Sequence, residues 1–322
     1  MRDLRSPERS RVRDVLQWAT SELRRCLKDA PLGSADTPYL DALLLLSLAT
    51  GEPTERLLAS LPEEVSEDAL GRFVRLLDRR CRGTPVSYIR GIKEFYGREF
   101  SVNPAVLVPR PDSELLVETA LEALDSLAMV TDTLHLHDAF TGSGCIAITI
   151  AAERPGIVVS GSDIDDSALL VAAANRTRLL APVADPPADR VPLWRSNVLD
   201  AAAHECRIRR LPTPQIVAAN PPYLSDTEYE GLRRSSWPEP ERALRGGSDG
   251  LDLFRKLAHQ AVTLLPPLGY LVSEVGSQQG VIGARILAEA GFRDVEVRQD
   301  LAGRDRVLIA RRSTQRRHGN DD

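Results

Sequence analysis

Leu134–Ala151 reads LHLHDAFTGSGCIAITIA, and the order of its residues decides the fold. Leu134 to Asp138 alternates as a strand, Thr141-Gly142-Ser143-Gly144 turns sharply, and Ile146 to Ala152 continues as an apolar helix. A strand, a glycine turn and a helix in that order leave the first N–H groups of the helix without partners, as a cradle for a ligand. Glycine has no Cβ, so a bulky group lies close against its backbone. The next apolar run, IVVSGSD, ends in Asp163. That is about twenty residues after the loop, where an acidic side chain grips ribose hydroxyls in dinucleotide-type folds. Nicotinamide cofactors and S-adenosylmethionine both suit a glycine loop followed by a strand-end acid, so these residues alone leave the cofactor open.

A second stretch narrows the choice. Gln215 to Ala219, in PQIVAAN, reads as a short buried strand, which puts Asn220 at its carboxyl end, where open α/β sheets hold their ligands. Asn220-Pro221-Pro222-Tyr223 follows. The prolines forbid helix and have no N–H, so the turn offers carbonyl oxygens, and the Asn220 amide oxygen adds another acceptor. Acceptors facing inward select a donor, such as the planar NH2 of adenine, of cytosine or of a glutamine amide. Tyr223 supplies a flat wall to orient it. Read alone, the tetrapeptide also fits, less well, a proline-rich turn after a strand. Beside the glycine loop it has no role in hydride transfer, and the two motifs together point to methyl transfer from S-adenosylmethionine.

Punctuation by proline and glycine sets the organisation. Apolar residues recur at helical spacing from about Val12 to Arg80, as in VLQWATSELRRCL and DALGRFVRLLDRRC. Alternation with Gly91, Gly97 and Pro104 from Val86 to Val108 predicts a hairpin-bearing linker. Pro111 then opens a helix whose Asp112 and Glu114 suit its positive end. Strands and helices alternate from there to Arg312, ending in GYLVSEVG, RDVEVRQ and RVLIARR, the last two forming an antiparallel edge. The expected fold class is α/β, a Rossmann-like sheet with a small N-terminal helical domain. Its divisions fall at 1–85, a hairpin linker at 86–110, the sheet domain at 111–312 and a disordered tail at 313–322. The proline-dense loop Ala181–Pro192 reads as a surface insertion.

Composition bounds the rest. A chain of 322 residues with 43% hydrophobic content fits two soluble globular domains. The net charge of −5 argues against broad nonspecific nucleic-acid binding, and the run Arg207-Ile208-Arg209-Arg210 reads as a solvated face. Cys26, Cys81, Cys145 and Cys206 show no paired spacing, so neither a disulfide framework nor a zinc site is expected, and a reducing cytoplasm is the simplest compartment. The apolar run LDALLLLSLAT is shorter than the roughly twenty residues a membrane span needs, and no membrane role is expected. His135 and His137 share one face of the first strand, either as a ligand pair or as core residues; with no third ligand nearby, no metal is assigned.

Several segments resemble the protein-(glutamine-N(5)) methyltransferases of the PrmC/HemK family. They are RGTPVSYIRGIKEFYGREFSVNPAVLVPRPDSE (Arg82 to Glu114), DAFTGSGCIAI, SDIDDSAL, NPPYLS, PEPERALRGGSDGLDLFRKL (Pro238 to Leu257), SEVGSQQG and DLAGRDRVLIARR, within a resemblance covering Leu40 to Arg311. PRPDSE resembles the release factor enzymes rather than the relatives that act on a ribosomal protein. The resemblance implies S-adenosylmethionine as methyl donor and the glutamine of the Gly-Gly-Gln motif of class I peptide chain release factors as substrate. It further implies a monomer, no direct nucleic-acid contact, and substrate recognition by the N-terminal domain. It assigns substrate binding and catalysis to Asn220, Pro221, Pro222 and Tyr223. It assigns the cofactor to Phe140, Thr141, Gly142, Ser143, Gly144, Asp163, Asn197, Val198 and Asn220. This chain departs from the family where Phe140 replaces the usual glycine, Asn197 the usual aspartate, and Val198 a frequent aromatic. Glu239 and Asp249 either cap turns or touch the glutamine, and Arg110 and Glu114 either brace the cofactor pocket or form a plain salt bridge. Two rival functions stay open: an adenine methyltransferase acting on nucleic acid, and a noncatalytic scaffold.

Overall fold

The structure is a computed structural model that describes residues 10–27, 37–129, 131, 133–181, 190–234 and 237–314. The expected surface insertion at 182–189 and the expected tail from 315 onward lie outside the described residues. The chain divides into two compact units, Met1–Ile92 with Glu230–Pro238, and Lys93–Tyr229 with Glu239–Asp322.

The first unit is helical: α1 (Val12–Cys26), α2 (Pro38–Thr50), α3 (Thr54–Ala59), α4 (Glu67–Cys81) and α5 (Val86–Arg90). Along α1 the buried residues Val12, Val15, Leu16, Ala19 and Leu23 follow the three-and-four spacing of one helix face. Ala69, Phe73 and Leu77 do the same on α4, whose start is capped by Ser66 Oγ accepting the Ala69 N–H. Asp41 on α2 and Arg80 on α4 form a buried ion pair at 2.8 Å. Burial raises the Asp41 carboxyl, and the Arg80 guanidinium opposes that rise.

Two expectations fail here. Val86–Arg90 is a helix rather than part of the extended linker, because Pro85 suits the start of a helix and Gly91, at φ 75°, its left-handed end. Cys26 and Cys81 form a disulfide, their Cα atoms 5.2 Å apart. They close α1 and α4, so helix packing joins them, and no local spacing in the sequence announces it. The inference to a reducing compartment loses the support it drew from unpaired cysteines.

The second unit begins with the hairpin of β1 (Ile92–Phe95) and β2 (Arg98–Ser101). Tyr96 and Gly97 make its two-residue turn at φ 50° and 70°, and the Tyr96 N–H donates to Glu114 Oε1 at 2.9 Å. A short 3-10 turn, Pro111–Ser113, leads into α6 (Glu114–Ala128). Then come β3 (His135–Ala139), α7 (Cys145–Glu153), β4 (Val158–Asp163), α8 (Asp166–Leu180) and β5 (Leu193–Arg195). They are followed by α9 (Ala202–Ile208), β6 (Ile216–Ala219), α10 (Asp226–Arg234) and α11 (Asp252–Leu264). The chain ends with β7 (Tyr270–Glu274), α12 (Gly280–Ala290), β8 (Phe292–Gln299) and β9 (Asp305–Arg312). The seven-stranded sheet has the order β5-β4-β3-β6-β7-β9-β8. It is parallel from β5 to β7, with β9 and β8 antiparallel at the edge, as the sequence pattern predicts.

Both sheet faces are covered. Ile216 and Ala218 of β6 join the core cluster that includes Leu116, Leu136 and Ile146, while Val217 and Ala219 join the opposite cluster with Phe254, Leu257 and Leu271. That is why β6 reads as an unbroken apolar run. The chain runs outward in one direction through β3, β4 and β5, then in the other through β6 and β7, so the order reverses between β3 and β6. Ligands bind at such a reversal, beyond the carboxyl ends of the strands.

Alkylation of the denatured, unreduced chain is expected to label Cys145 and Cys206 alone, and all four cysteines after reduction. Cys81→Ser is expected to lower stability in urea by about 2–4 kcal/mol, and an unchanged midpoint with four labelled thiols contradicts the pairing.

Candidate active site

Ala139 of β3 lies opposite Ala219 of β6, so the residues that follow each strand start side by side. Phe140, Thr141, Gly142 and Ser143 from one, and Asn220 and Pro222 from the other, line a single cavity of about 800 Å³. Asp163, Asn197 and Val198 line it too. Gly144, Pro221 and Tyr223, the other residues singled out from the sequence, do not.

The loop is held from below. Asp138, the last but one residue of β3, is fully buried, its Oδ2 accepting from Thr141 Oγ1 at 2.7 Å and from the Ala147 N–H at 3.2 Å. Among the described residues its Oδ1 has no partner, and burial pushes the carboxyl up to about 7. Gly161 on β4 makes room for this arrangement, since a Cβ there would lie 2.8 Å from Thr141 Oγ1. Gly142 has φ 53°, and a Cβ there would meet only the Phe140 carbonyl, at 4.0 Å. The backbone of this turn is therefore open to a bulky ligand. Gly144 is needed for packing as well: with φ 81° it opens α7, and a Cβ would fall 2.7 Å from Ile148 Cδ1 and 3.3 Å from Ala172 Cβ.

Two departures from the family pattern acquire a physical meaning. Phe140 has φ 69° and Val198 φ 60°. The left-handed region costs a residue with a Cβ about 1–2 kcal/mol, a cost that the glycine implied by the resemblance at the first position would not carry. A β-branched residue there is rarer still.

Asp163 holds the far side. Its Oδ2 accepts the Gly142 N–H at 2.9 Å and its Oδ1 the Asp165 N–H at 3.0 Å. Burial raises its carboxyl, and those two backbone bonds restrain the rise. Each oxygen retains a second lone pair for a hydroxyl donor.

At the strand end, Asn220 Nδ2 donates to Ser113 Oγ at 3.1 Å. Ser113 Oγ in turn donates to Glu274 Oε2 at 2.5 Å. Among the described residues nothing hydrogen-bonds Asn220 Oδ1 or the Pro221 carbonyl, so both acceptors are uncommitted. Ser113 stands in PRPDSE and Glu274 in SEVGSQQG, and no local pattern in either segment marks it as a neighbour of Asn220.

The backbone after Asn220 is clamped by the segment whose role the sequence left open. Leu224 and the chain from Leu244 to Gly246 exchange backbone hydrogen bonds of 2.9 and 2.8 Å. Gly246 and Gly250 then lie directly against the turn: added Cβ atoms would sit 2.5 Å from the Pro222 carbonyl oxygen and 2.2 Å from that of Tyr223. Gln279 Nε2 donates to the same Tyr223 carbonyl at 2.9 Å. Glu239 is a brace: its Oε1 accepts the Val108 N–H at 2.9 Å and its Oε2 pairs with Arg110, which lines the cavity. Asp249 caps a turn, its Oδ1 accepting the Leu251 N–H at 3.0 Å beside its ion pair with Arg255. Arg110 and Glu114 are bound to Glu239 and the hairpin turn respectively, not to each other.

His135 and His137 are wholly committed. Their ring nitrogens bond the Pro212 carbonyl and the hydroxyls of Ser160 and Ser162 at 2.6–3.0 Å, and His137 stacks on Trp194 at 4.9 Å. Burial pushes them down to about 4 and about 3, so both stay neutral near pH 7.

The PrmC N-terminal domain family model matches residues 14–91. A release factor glutamine methyltransferase from Moorella thermoacetica is 39% identical over 295 residues, covering 90% of this chain and 98% of that protein. One from Neisseria gonorrhoeae is 38% identical, covering 88% and 97%, and one from Bacillus subtilis 35%, covering 92% and 96%. Among solved structures, the hMettl16 catalytic domain in complex with MAT2A 3′UTR hairpin 6 aligns with a TM-score of 0.50 at 12% identity, covering 72% of this chain and 90% of that one, which is a likeness of fold.

Gly250→Ala adds a Cβ against the Tyr223 carbonyl at a residue with φ 77°. Displacing this turn by about 1 Å is expected to lower turnover roughly a hundredfold and the melting temperature by a few degrees, while ligand binding at the glycine loop stays near wild type. Unchanged turnover contradicts the clamp.

Proposed function

We infer the chemistry of this site from two premises: the chain belongs to the release factor glutamine methyltransferase family, and Asn220 leaves an uncommitted amide oxygen at the cavity. The enzyme is a protein-glutamine N5-methyltransferase and methylates a glutamine side chain of peptide chain release factors. We assign the reaction to the glutamine of the Gly-Gly-Gln motif in class I release factors, carried out by a monomer in the cytoplasm without direct nucleic-acid contact.

The residues of the glycine loop suit S-adenosylmethionine. The open backbone at Gly142 and the strand-end carboxylate of Asp163 match a nucleoside-bearing cofactor, with Asp163 on the ribose hydroxyls and Asn197 on the adenine edge. Asparagine both donates and accepts, where the family's aspartate only accepts. When bound, S-adenosylmethionine supplies a methyl group on a positively charged sulfur.

The chain's own residues then act on the amide. Pro221 does not line the cavity, but its carbonyl is uncommitted among the described residues, and with Asn220 Oδ1 we assign it to the two N–H bonds of the glutamine, holding the nitrogen so that its lone pair turns out of conjugation. Positive charge grows on that nitrogen as it is alkylated, so acceptors beside it bind the transition state more strongly than the ground state. Tyr223 and the two prolines keep these acceptors fixed. The N-alkylated amide is a strong acid, so it releases its extra proton to water and no strong general base is required.

The uncommitted Asn220 oxygen beside the glycine loop is the observation that carries this reading. Asn220→Ala is expected to lower kcat on release factor by about 10²–10³-fold and to change cofactor affinity less than about threefold, measured by methyl transfer and calorimetry. Near-normal turnover overturns it. Methylation of duplex DNA instead of release factor favours the adenine rival, and cofactor binding without transfer to intact factor favours the scaffold. Asp163→Ala is expected to weaken cofactor binding roughly ten- to a hundredfold, as the loss of charged hydrogen bonds implies.

A further inference from the structure

We propose that Ser113 and Glu274 are positioning residues, forming a one-directional hydrogen-bond chain that turns the Asn220 side chain so that its oxygen, not its NH2, meets the substrate amide. The proposal rests on the reading of Asn220 as the acceptor for glutamine.

The two faces of an asparagine amide are nearly alike in shape, so packing alone does not choose between them. The choice matters because an NH2 presented to the NH2 of glutamine sets donor against donor. β6 and β7 pair in parallel with Ala219 opposite Ser273, which places Asn220 and Glu274 one step further along adjacent strands. Ser113, from the 3-10 turn before α6, bridges them, 3.1 Å from Asn220 Nδ2 and 2.5 Å from Glu274 Oε2. Ser113 and Glu274 are each 2% exposed, so water does not substitute for either partner.

A serine hydroxyl has one proton. An ionised carboxylate only accepts, so that proton goes to Glu274, and what Ser113 then offers Asn220 is lone pairs. Only the NH2 half of the amide uses them. The orientation of Asn220 is thus dictated by a charge two hydrogen bonds away. When Glu274 is protonated, its O–H donates to Ser113, the Ser113 proton turns toward Asn220, and the amide is drawn around to bond through Oδ1, leaving NH2 toward the cavity.

The charges around Glu274 favour such a switch near neutrality. Burial pushes it up to about 7 with Asp112 acting in the same direction, while the Ser113 bond, Arg306 on β9 and Arg110 pull it back. Tyr223 beyond β6 and Cys145 at the start of α7 also face it, and burial holds both up to about 12, so neither ionises in the same range. Asp138 is raised to about 7 as well, but its hydrogen bonds go to the glycine loop and α7. Ionised Glu274 orients Asn220 correctly, so activity rises with pH through this group and falls as it takes up a proton.

The test is methyl transfer to release factor at saturating S-adenosylmethionine from about pH 5.5 to about pH 9, with cofactor affinity and melting measured for each variant. The wild type is expected to show kcat/KM falling about tenfold per unit below a single midpoint near 7. Ser113→Ala is expected to lose about ten- to a hundredfold in kcat/KM with cofactor affinity intact, and Ser113→Thr, which keeps the hydroxyl, to recover most of it. Glu274→Gln keeps an acceptor but gains no proton, so the acidic limb should vanish. A wild-type rate in Ser113→Ala, or an acidic limb unchanged in Glu274→Gln, overturns the proposal. If Glu274→Gln fails to fold, the Ala and Thr variants at Ser113 decide alone. Loss of activity in Asn220→Ala with none in Ser113→Ala sinks the relay and leaves the acceptor reading standing, whereas full activity in Asn220→Ala sinks the acceptor reading.

Discussion

Gln215 pins the register on which the active site depends. β6 is apolar on both faces, so its hydrophobic pattern does not distinguish the native pairing from one slipped by a residue. Gln215 supplies the missing constraint just before the strand: its Oε1 accepts the His135 N–H at 2.7 Å, and its own N–H donates to the His135 carbonyl at 2.9 Å. On the other side its carbonyl accepts the Tyr270 N–H at 2.8 Å. With β3, β6 and β7 locked at their starts, Ala139, Ala219 and Ser273 end in step. Phe140, Asn220 and Glu274 therefore emerge side by side, so the glycine loop, the Asn220 amide and the Glu274 carboxyl share the carboxyl end of the sheet.

Around that edge the protein tolerates local cost for a fixed shape. Phe140 and Val198 line the cavity in a backbone region that suits glycine. Asp138 near the end of β3 and Glu274 at the end of β7, with β6 between those two parallel strands, are buried carboxyls, each raised to about 7 by loss of water. Such arrangements persist where the surroundings over-determine them, and they gather at working sites. The buried histidines are the contrast: His135 and His137 have every ring nitrogen satisfied and serve the sheet interior.

The parts of this architecture that depend on local pattern were legible in the sequence. The strand, glycine turn and helix around Gly142, the buried run ending at Asn220 and the antiparallel edge of β8 and β9 all follow from periodicity and punctuation. What stayed hidden depends on the third dimension. Cys26 and Cys81 meet because two helices pack, and their spacing in the chain says nothing of it. Glu239 braces Val108 and Arg110, and Gly246 and Gly250 press on the Pro222 and Tyr223 carbonyls, across distances no motif encodes. Ser113 and Glu274 look like an ordinary helix-start serine and an ordinary strand-end acid until the sheet sets them against Asn220. Gly144, read as part of the cofactor cradle, has a second constraint that only the packing shows, since an added Cβ would meet Ile148 and Ala172.

Tandem mass spectrometry of purified release factor after incubation with the enzyme and S-adenosylmethionine tests the central claim most directly, because it reports which atom received the methyl group. The account predicts the added mass of one methyl on the side-chain nitrogen of the Gly-Gly-Gln glutamine and on no other residue. Methyl on a different side chain, or none at all from enzyme with bound cofactor, would contradict it.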